Sequence, residues 1–591
     1  MIKPLPPAFV FLIGALLIPV LSGRWRRLLL LALPVVGMVN LLLLGEGLQW
    51  QVPFLFDGLM LARVDALGSI FGYIFLLVSF IGFIYAFHVE DRVQQAAGLL
   101  YAGSAMGVVF AGDLFTLFIF WELLTVGSIF LIWARRTRAS QAAGFRYLLV
   151  HAAGGLVLLA GILIRYQETG TIAFGPMTLA EPGSLLIFIG FGINCAWPIL
   201  HPWLTDAYPE ATISGTVFLS AFTTKAAVYA LARGFPGTSA LIWIGALMTG
   251  FPIFYAVIEN DLRRVLAYSL INQVGFMVCG IGIGTPLAIN GAVAHAFNDI
   301  LFKGLLFMSM GAVMYRTGKI NATDLGGLYR TMPLTCICCI VGAASISAFP
   351  LFSGFVSKSM VMDAAGSGHL RVVWFVLLFA SAGVFHHAGI KIPFFAFFSH
   401  DSGLRPKEAP LHMLVAMGIA AFLCIFIGSY PAPLYSLLPY QPVGYEPYTV
   451  PHVLAQTQIL FFSALAFALL LLSGIYPAEM RSINLDADWF YRKGGRVFYR
   501  VMDAGFNGLN ALCDRMIARE LTRRTGIFAR TAPAAVAAFL IGLIPFVRHR
   551  VAKPDEKLAP FLARTFENGV VPVGISAAVC GVLLVVFFML S

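Results

Sequence analysis

The stretch DLFTLFIFWELLTVGSIFLIWARR, from Asp113 to Arg136, decides the fold. Its apolar run is long enough to cross a bilayer as a helix, which takes about 20 residues, and two arginines follow it. Glu122 lies near the middle of this run. A charge at the centre of a membrane helix costs roughly 2.5–3.5 kcal/mol on insertion scales. Glu122 therefore needs a partner or a function that offsets this cost.

The composition extends the membrane assignment to most of the chain. Of the 591 residues, 59% are hydrophobic and only 11% are charged, whereas soluble domains carry about 25% charged residues. About sixteen windows are long and apolar enough to span a bilayer. We therefore predict an all-α polytopic membrane protein with about 16 transmembrane helices embedded in lipid.

The net charge of +11 does not indicate nucleic-acid binding, because the basic residues form short clusters between apolar runs and no continuous patch. Most of these clusters follow odd-numbered predicted helices. By the positive-inside rule those loops face the cytoplasm, which predicts an amino terminus outside. The clusters that carry this assignment include Arg24, Arg26, Arg27, Arg135, Arg136, Arg263 and Arg264.

Sequence signatures of cofactor sites are absent. The chain has no P-loop and no strand–GxGxxG–helix unit. The TCICC stretch at 335–339 contains one CxxC spacing, Cys336 to Cys339, but has no second cluster at ligand spacing. We predict no metal, no cofactor and no catalytic centre in this chain. Whether it serves as the transport subunit of a redox-driven translocase is left open.

Further ionisable residues lie inside the apolar windows. One predicted helix carries His295, Asp299 and Lys303 at positions i, i+4 and i+8, so the three share one face over roughly 12 Å. Such a row of titratable groups is typical of proton pathways in membrane transporters. The other members of the set are Glu122, Lys225, Lys358, His386, His387 and Lys391.

Each of these residues also has a structural interpretation. An intramembrane Lys–Asp pair can serve as structural glue, and His295 can be a hydrogen-bonded packing residue. Lys391, near a helix end, can extend its amine to the membrane surface. Polar residues occur on about six successive helices, and every one of them carries the cost of inserting a polar group into the membrane. Structural contacts alone do not require so many, so the set favours a pathway.

Two predicted helices contain breaks. The seventh holds Pro198 and Pro202, and the twelfth holds Pro350 and Gly354. Proline removes a backbone donor, and irregular backbone at membrane depth is tolerated only inside protein or beside a wet cavity. The breaks lie five helices apart, an odd offset that predicts two inverted five-helix repeats of the kind found in transporters.

The carboxyl end has a different pattern. From Asp486 to Phe528, apolar residues recur at helical spacing with arginine and lysine between them. This pattern predicts an amphipathic helix along the membrane surface or against partner helices. A plain cytoplasmic segment is the alternative.

Several stretches resemble the antiporter-like subunits shared by respiratory complex I, Mrp-type cation/proton antiporters and membrane-bound hydrogenases. The nearest type is the D-type subunit of the Mrp antiporters. The stretches cover roughly residues 95–400 in the family's order. They are WELLTVGSIFLI, HPWLTDAYPEA, TKAAVYALAR, ENDLRRVLAYSLINQVGF, HAFNDILFKGLLFMSMGAV, LGGLYRTMP and FSGFVSKS.

The resemblance implies roles and boundaries. Proton or ion relay is implied for Glu122, Lys225, His295, Lys303 and Lys358; our relay set adds Asp299 and Lys391, with His201, His386, His387 and Asn194 as accessory positions. The repeat units would be 95–235 and 236–400, after N-terminal helices in 1–94. Additional helices would follow in 401–480, the amphipathic helix in 481–530 and C-terminal membrane segments in 531–591.

Two positions depart from the family pattern. Asn194 stands where relatives have a lysine on the broken seventh helix, and Asp299 stands where many have a second histidine. Asparagine does not titrate, so the first repeat lacks its usual glutamate–lysine pair unless Lys225 or water replaces it.

The sequence thus predicts a subunit that moves protons, or exchanges sodium for protons, within a multisubunit complex of a prokaryotic inner (plasma) membrane. Its expected partners are antiporter-like and small hydrophobic membrane subunits. The alternative is a non-pumping membrane scaffold in a respiratory oxidoreductase, a hydrogenase or an inorganic-carbon uptake complex, and Asn194 favours that alternative.

Overall fold

The structure is a computed structural model, and it describes residues 5–53, 58–476, 479–480, 484–543 and 573–590. Nearly all of these residues that adopt regular structure are helical, as predicted. The strands among them are β1 (Gln49–Val52) and β2 (Leu59–Arg63), which form one antiparallel pair. The chain divides after Asp488 into two compact units.

The first unit begins with α1 (Pro7–Leu17), α2 (Gly23–Leu43) and α3 (Ala66–Tyr85). The next group is α4 (Arg92–Phe110), α5 (Leu114–Trp133), α6 (Arg138–Thr169), α7 (Pro182–Asn194), α8 (Pro202–Ala207), α9 (Ile213–Ala221) and α10 (Thr223–Gly234). The following group is α11 (Ser239–Ile258), α12 (Leu262–Ile283), α13 (Pro286–Thr317), α14 (Pro333–Ile346), α15 (Ser353–Ser367), α16 (Arg371–Val384) and α17 (Lys391–Pro393). The unit ends with α18 (Leu411–Ser429), α19 (Ala432–Tyr435) and α20 (Val450–Leu472).

Within the described residues, twelve helical stretches are long and apolar enough to cross a membrane. This confirms the polytopic membrane class. The predicted total of about sixteen spans stays a prediction.

The two middle groups repeat one another. Their third spans, α6 and α13, are 32 residues each and end on the left-handed glycines Gly170 and Gly318, where a side chain would be strained. The loop after each then bridges back to the aspartate that caps the second span, Asp113 in one group and Asp261 in the other. Each group has five spans, so successive groups run in opposite directions, which is the inverted repeat predicted from the helix breaks.

The fourth span of each repeat is broken, also as predicted. Residues 195–201 separate α7 from α8, and residues 347–352 separate α14 from α15. Pro198 and Pro350 lie inside these links and cannot donate a backbone hydrogen bond. Each link holds two left-handed residues three positions apart, Ala196 with Ile199 and Ala348 with Leu351.

The fifth spans contain interruptions that the sequence did not reveal. Phe222 separates α9 from α10, and π-helical turns at Phe385–Ile390 and Phe394–Phe398 flank α17. Such turns leave backbone carbonyls free for other donors, and π turns are frequent at functional sites. Lys225 and Lys391 lie at these two interruptions.

The helix α13 forms the centre of the first unit. Every residue from Ala288 to Val313 is buried. A helix that is covered on all sides must lie in the interior of the bundle. Its polar residues therefore face other helices and are shielded from lipid.

The second unit contains α21 (Asp488–Cys513), a π-helical stretch (Asp514–Leu521), α22 (Thr522–Leu543) and α23 (Val573–Leu590). The first three are continuous, so the amphipathic helix does not end at the predicted boundary of 530. The region 531–591, where C-terminal membrane segments are predicted, therefore begins inside this helix, which ends at Leu543. Residues 544–572 lie outside the described part of the chain.

Candidate functional site

The centre of the site is an ion pair between the two repeats. Lys225 Nζ of α10 lies 2.5 Å from Asp299 Oδ2 of α13, and both side chains are fully buried. Lys225 also donates to the Ser220 carbonyl at 2.9 Å, which the interruption at Phe222 leaves free. Breaking a buried pair by removing one partner costs about 3–5 kcal/mol, because a charge is left uncompensated.

The other two predicted relay residues of α13, Lys303 and His295, contact α12 and α15. Lys303 Nζ donates to Ser269 Oγ at 2.8 Å. His295 Nε2 lies 3.1 Å from Gln273 Oε1, and its Nδ1 lies 3.1 Å from Ser357 Oγ. Because a carbonyl oxygen only accepts, the proton of the neutral ring belongs on Nε2, and Nδ1 then accepts from the serine. His295, Asp299 and Lys303 are all fully buried.

Lys358 lies just after the break between α14 and α15. Its Nζ donates to the Ile346 carbonyl at 3.0 Å, a group that the break releases from helical bonding. The amine also lies 5.0 Å from the ring centre of Phe276, a distance suited to a cation–π contact.

A cavity of about 460 Å³ reaches Lys358. Its polar lining residues are Lys358, Ser359, Asp363, Tyr445, Glu446, Thr449, His452 and Gln456. A cavity of this size with several polar partners can hold a chain of waters. Lys358 therefore borders a cavity with several polar side chains.

Lys391 forms an ion pair that the sequence did not predict. Its Nζ lies 2.8 Å from Glu479 Oε1, with side-chain exposures of 0% and 7%. It also donates to the carbonyls of Val257 at 2.6 Å and Glu259 at 2.7 Å, at the carboxyl end of α11. The expected alternative, an amine that extends to the surface, is wrong, because the Lys391 side chain is completely covered.

Glu122 lies outside this network. Its carboxylate packs against Gly155 of α6, where an added Cβ would displace it, and its Oε1 has no hydrogen-bond partner among the described residues. The expected contact with a buried lysine does not form, since Lys225 pairs with Asp299. The role of Glu122 as a relay station stays a prediction.

Asn194 is also unpaired. It ends α7 at the break and is fully buried, and neither atom of its amide has a hydrogen-bond partner in the described chain. A buried polar group without a partner is costly. Water can supply the missing partners where there is room for it.

The accessory histidines lie in two places. His201, at the first break, lies 3.0 Å from Asp486 Oδ2. His386 contacts the rings of Phe467 and Tyr476. His387 is fully buried and lies close enough to Lys303 and Lys391 for their charges to act on it.

Sequence reasoning missed the partners Asp486 and Glu479, as well as Ser269 and Gln273. Glu479 and Asp486 follow the apolar run of α20. Charged residues are ordinary outside apolar runs, so nothing in the sequence indicated that these two carboxylates have buried partners. Ser269 and Gln273 stand at i and i+4 on α12, and this spacing was an available signal for a polar face.

Metal ligation finds no support in the described residues, which contain no group of three His, Cys, Asp or Glu side chains that could hold a metal ion. The three cysteines of the TCICC stretch lie on α14 as free thiols.

Known proteins resemble this chain in sequence and in fold. Residues 111–400 match the family described as NADH:quinone oxidoreductase/Mrp antiporter, transmembrane. NADH-quinone oxidoreductase subunit N of Desulforudis audaxviator is 31% identical over 395 residues, which cover 60% of this chain and 77% of that protein. A probable K(+)/H(+) antiporter protein of Rhizobium meliloti is 30% identical over 402 residues, which cover 63% of this chain.

The chain spans only 40% of the length of that antiporter protein. A chain in the structure of the Mrp complex from Dietzia sp. DQ12-45-1b matches this fold with a TM-score of 0.67, covering 78% of this chain and 98% of its own length at 20% identity. The chain belongs to the NADH:quinone oxidoreductase/Mrp antiporter family and is an antiporter-like membrane subunit.

Proposed function

We propose that this chain translocates protons, or exchanges sodium for protons, as one subunit of a multisubunit membrane complex. The observation that carries the proposal is the buried Lys225–Asp299 pair between the two repeats. It lies beside a second buried amine, Lys303, on the same helix as Asp299. Three charged groups so close together respond strongly to any change in protonation, because interactions are weakly screened inside protein.

The pathway would run through Lys225, Asp299, Lys303 and His295 to Lys358, and Glu122 would feed it from the first repeat. A proton that reaches Asp299 would neutralise the carboxylate and release Lys225. Removing one partner of a buried ion pair costs about 3–5 kcal/mol, whereas one charge that crosses 100 mV supplies about 2.3 kcal/mol. The membrane potential therefore contributes to the exchange, and protonation of Asp299 supplies the rest.

The cavity at Lys358 would connect the pathway to one aqueous face. Its lining carboxylates Asp363 and Glu446 would attract cations into it. This transport requires side chains and water, so the proposal needs no bound cofactor in this chain.

The proposed setting is a prokaryotic inner membrane with the amino terminus outside. The distribution of basic loops supports this orientation. The partners would be other membrane subunits of the same complex, and the repeat units would be residues 95–235 and 236–400. The sequence relatives, one from an antiporter and one from an oxidoreductase, support an assembly of this kind.

The test replaces two buried lysines in the assembled complex. We expect Lys225→Gln and Lys303→Gln each to lower proton transport into vesicles by at least about a hundredfold, the lower range for losing a positioned proton carrier. Lys319→Gln, in an exposed loop after α13, is the matched control and should transport normally. Normal transport by both buried-lysine variants, with the complex intact, would exclude the proposal.

A second candidate function is a non-pumping scaffold. The unpaired Asn194 and the isolated Glu122 favour it, because the first repeat lacks the pair that would start a relay. In that case the two lysine variants would reduce stability without reducing the activity of the assembled complex. The same measurement therefore separates the two functions.

A further inference from the structure

The chain segment after α20 reaches back to the bundle at three points. Glu479 pairs with Lys391, Asn484 donates to Glu259 Oε2 at 3.0 Å, and Asp486 binds His201. These contacts join the fifth span of the second repeat to the break in the first. They involve residues beyond 400, the end of the part of the chain that matches the family.

Two of the three anchor points, Glu259 and Lys391, lie toward the same face of the bundle. Glu259 follows α11, the first span of the second repeat, and Lys391 lies near the end of its fifth span. Successive spans alternate in direction, so the first and fifth spans of a repeat run the same way. Their carboxyl ends therefore lie on the same face. By the distribution of basic loops this is the cytoplasmic face.

A buried histidine lies one turn before Lys391 on the same span and within electrostatic range of Lys303 in the central network. His387 precedes Lys391 by one turn and feels the charges of Lys391 and Lys303. The Gly383 carbonyl can engage only one of its ring nitrogens, and no other hydrogen-bond partner occurs for the ring in the described residues. A buried ring nitrogen without a partner can accept or pass on a proton when water or an amine comes within reach.

We propose that Glu479 and Lys391 form a proton-uptake site that supplies the central pathway through His387. This proposal rests on the proposed function. A proton from the aqueous face binds the Glu479 carboxylate and breaks the ion pair. The Lys391 ammonium then gives a proton to His387, and the neutral amine takes the proton from the Glu479 carboxyl. The original pair is restored, and one proton has moved from the surface to His387.

The surroundings of the pair favour proton binding at Glu479. Burial raises the pKa of this carboxyl, and the nearby charge of Glu259 adds to the effect, while Lys391 opposes it. The other ionisable groups around the pair are His386, His387, Tyr476 and Arg264, of which Arg264 lies 3.9 Å from Glu259. Lys391 is thus the only cation in direct contact with Glu479 among the described residues.

The first experiment measures proton transport by the full complex in vesicles as a function of pH on this face. We expect Glu479→Gln to lower the rate at least about tenfold and to flatten its pH dependence, since a protonatable carrier is lost. Glu479→Asp should recover part of the transport rate and part of its pH dependence. The control Asp401→Asn removes an exposed carboxylate that pairs with Arg405 and should change the rate less than about twofold.

An unchanged rate and pH profile in Glu479→Gln would overturn the inference. If Lys303→Gln still abolishes transport, only the uptake site is wrong, and the proposed function stands. If neither variant has an effect, the proposed function fails as well.

A second measurement uses the unmodified complex, in case the variants do not assemble. A hydrophobic carbodiimide reacts with protonated carboxyls in apolar surroundings. We expect a mass-spectrometric adduct on Glu479 at neutral pH that grows in parallel with loss of transport, and none on Asp401. Loss of transport without an adduct on Glu479, or no reaction there at all, would contradict the proposal.

Discussion

At the scale of single residues, the cost of burying charge determines which side chains must find a partner inside the bundle. Lys225, Asp299 and Lys303 stood out because a charge in hydrocarbon needs compensation. Their partners did not stand out, because pairing across helices depends on how the helices pack. Lys225 contacts Asp299 on α13, whereas it was expected only as one candidate to replace the lysine that relatives pair with the glutamate at position 122.

The Asp486 contact gives a prediction about pH. Burial opposes ionisation, but hydrogen bonds from His201 and Tyr268 hold the pKa of the Asp486 carboxyl below its ordinary value. A lowered pKa means that ionised Asp486 stabilises the folded chain above the ordinary aspartate pKa of about 3.9. This contribution is lost as the pH falls through the lower folded value.

We therefore expect Asp486→Asn to lower the melting temperature at pH 6, with the difference from the unmodified protein shrinking below pH about 4. Thermal unfolding in detergent between pH 3 and 8 measures this. Asp401→Asn, a change at an exposed pair, serves as the control. A difference that stays constant down to pH 3 would show that ionisation of Asp486 contributes nothing to stability.

At the scale of elements, proline identified the breaks in the fourth spans but nothing identified those in the fifth. Pro198 and Pro350 mark links that contain left-handed residues. The interruption at Phe222 has no proline or glycine within it. It is stabilised by tertiary contacts, including the bond from Lys225 to the Ser220 carbonyl, and a contact of that kind is invisible in one sequence.

The conformation of the second break predicts an asymmetry between two identical substitutions. Ala348 has a φ of 56°, which costs an L-residue about 1–2 kcal/mol that glycine avoids. Ala343 is a buried helical residue of α14, where glycine costs about 1 kcal/mol. We expect Ala348→Gly to match or exceed the melting temperature of the unmodified protein, and Ala343→Gly to fall below it. The reverse order would mean that the break is not built on a left-handed residue.

At the scale of the whole molecule, the periodic placement of apolar runs and breaks was sufficient to predict the inverted repeats. The repeats then bring the interrupted fifth span of one group against the central helix of the other, where Lys225 contacts Asp299. Boundaries near the carboxyl end were less predictable. The helix that starts at Asp488 runs to Leu543. It continues through Gly526 and Pro533, two residue types that ordinarily weaken or end a helix.

The most direct test of the central claim is proton flux through the assembled complex carrying Asp299→Asn. If the Lys225–Asp299 pair is the switch between the repeats, this nearly isosteric change should abolish flux through those complexes that assemble, since it leaves the Lys225 charge uncompensated. Asp401→Asn should transport at the normal rate. Normal flux through an assembled Asp299→Asn complex would contradict the claim.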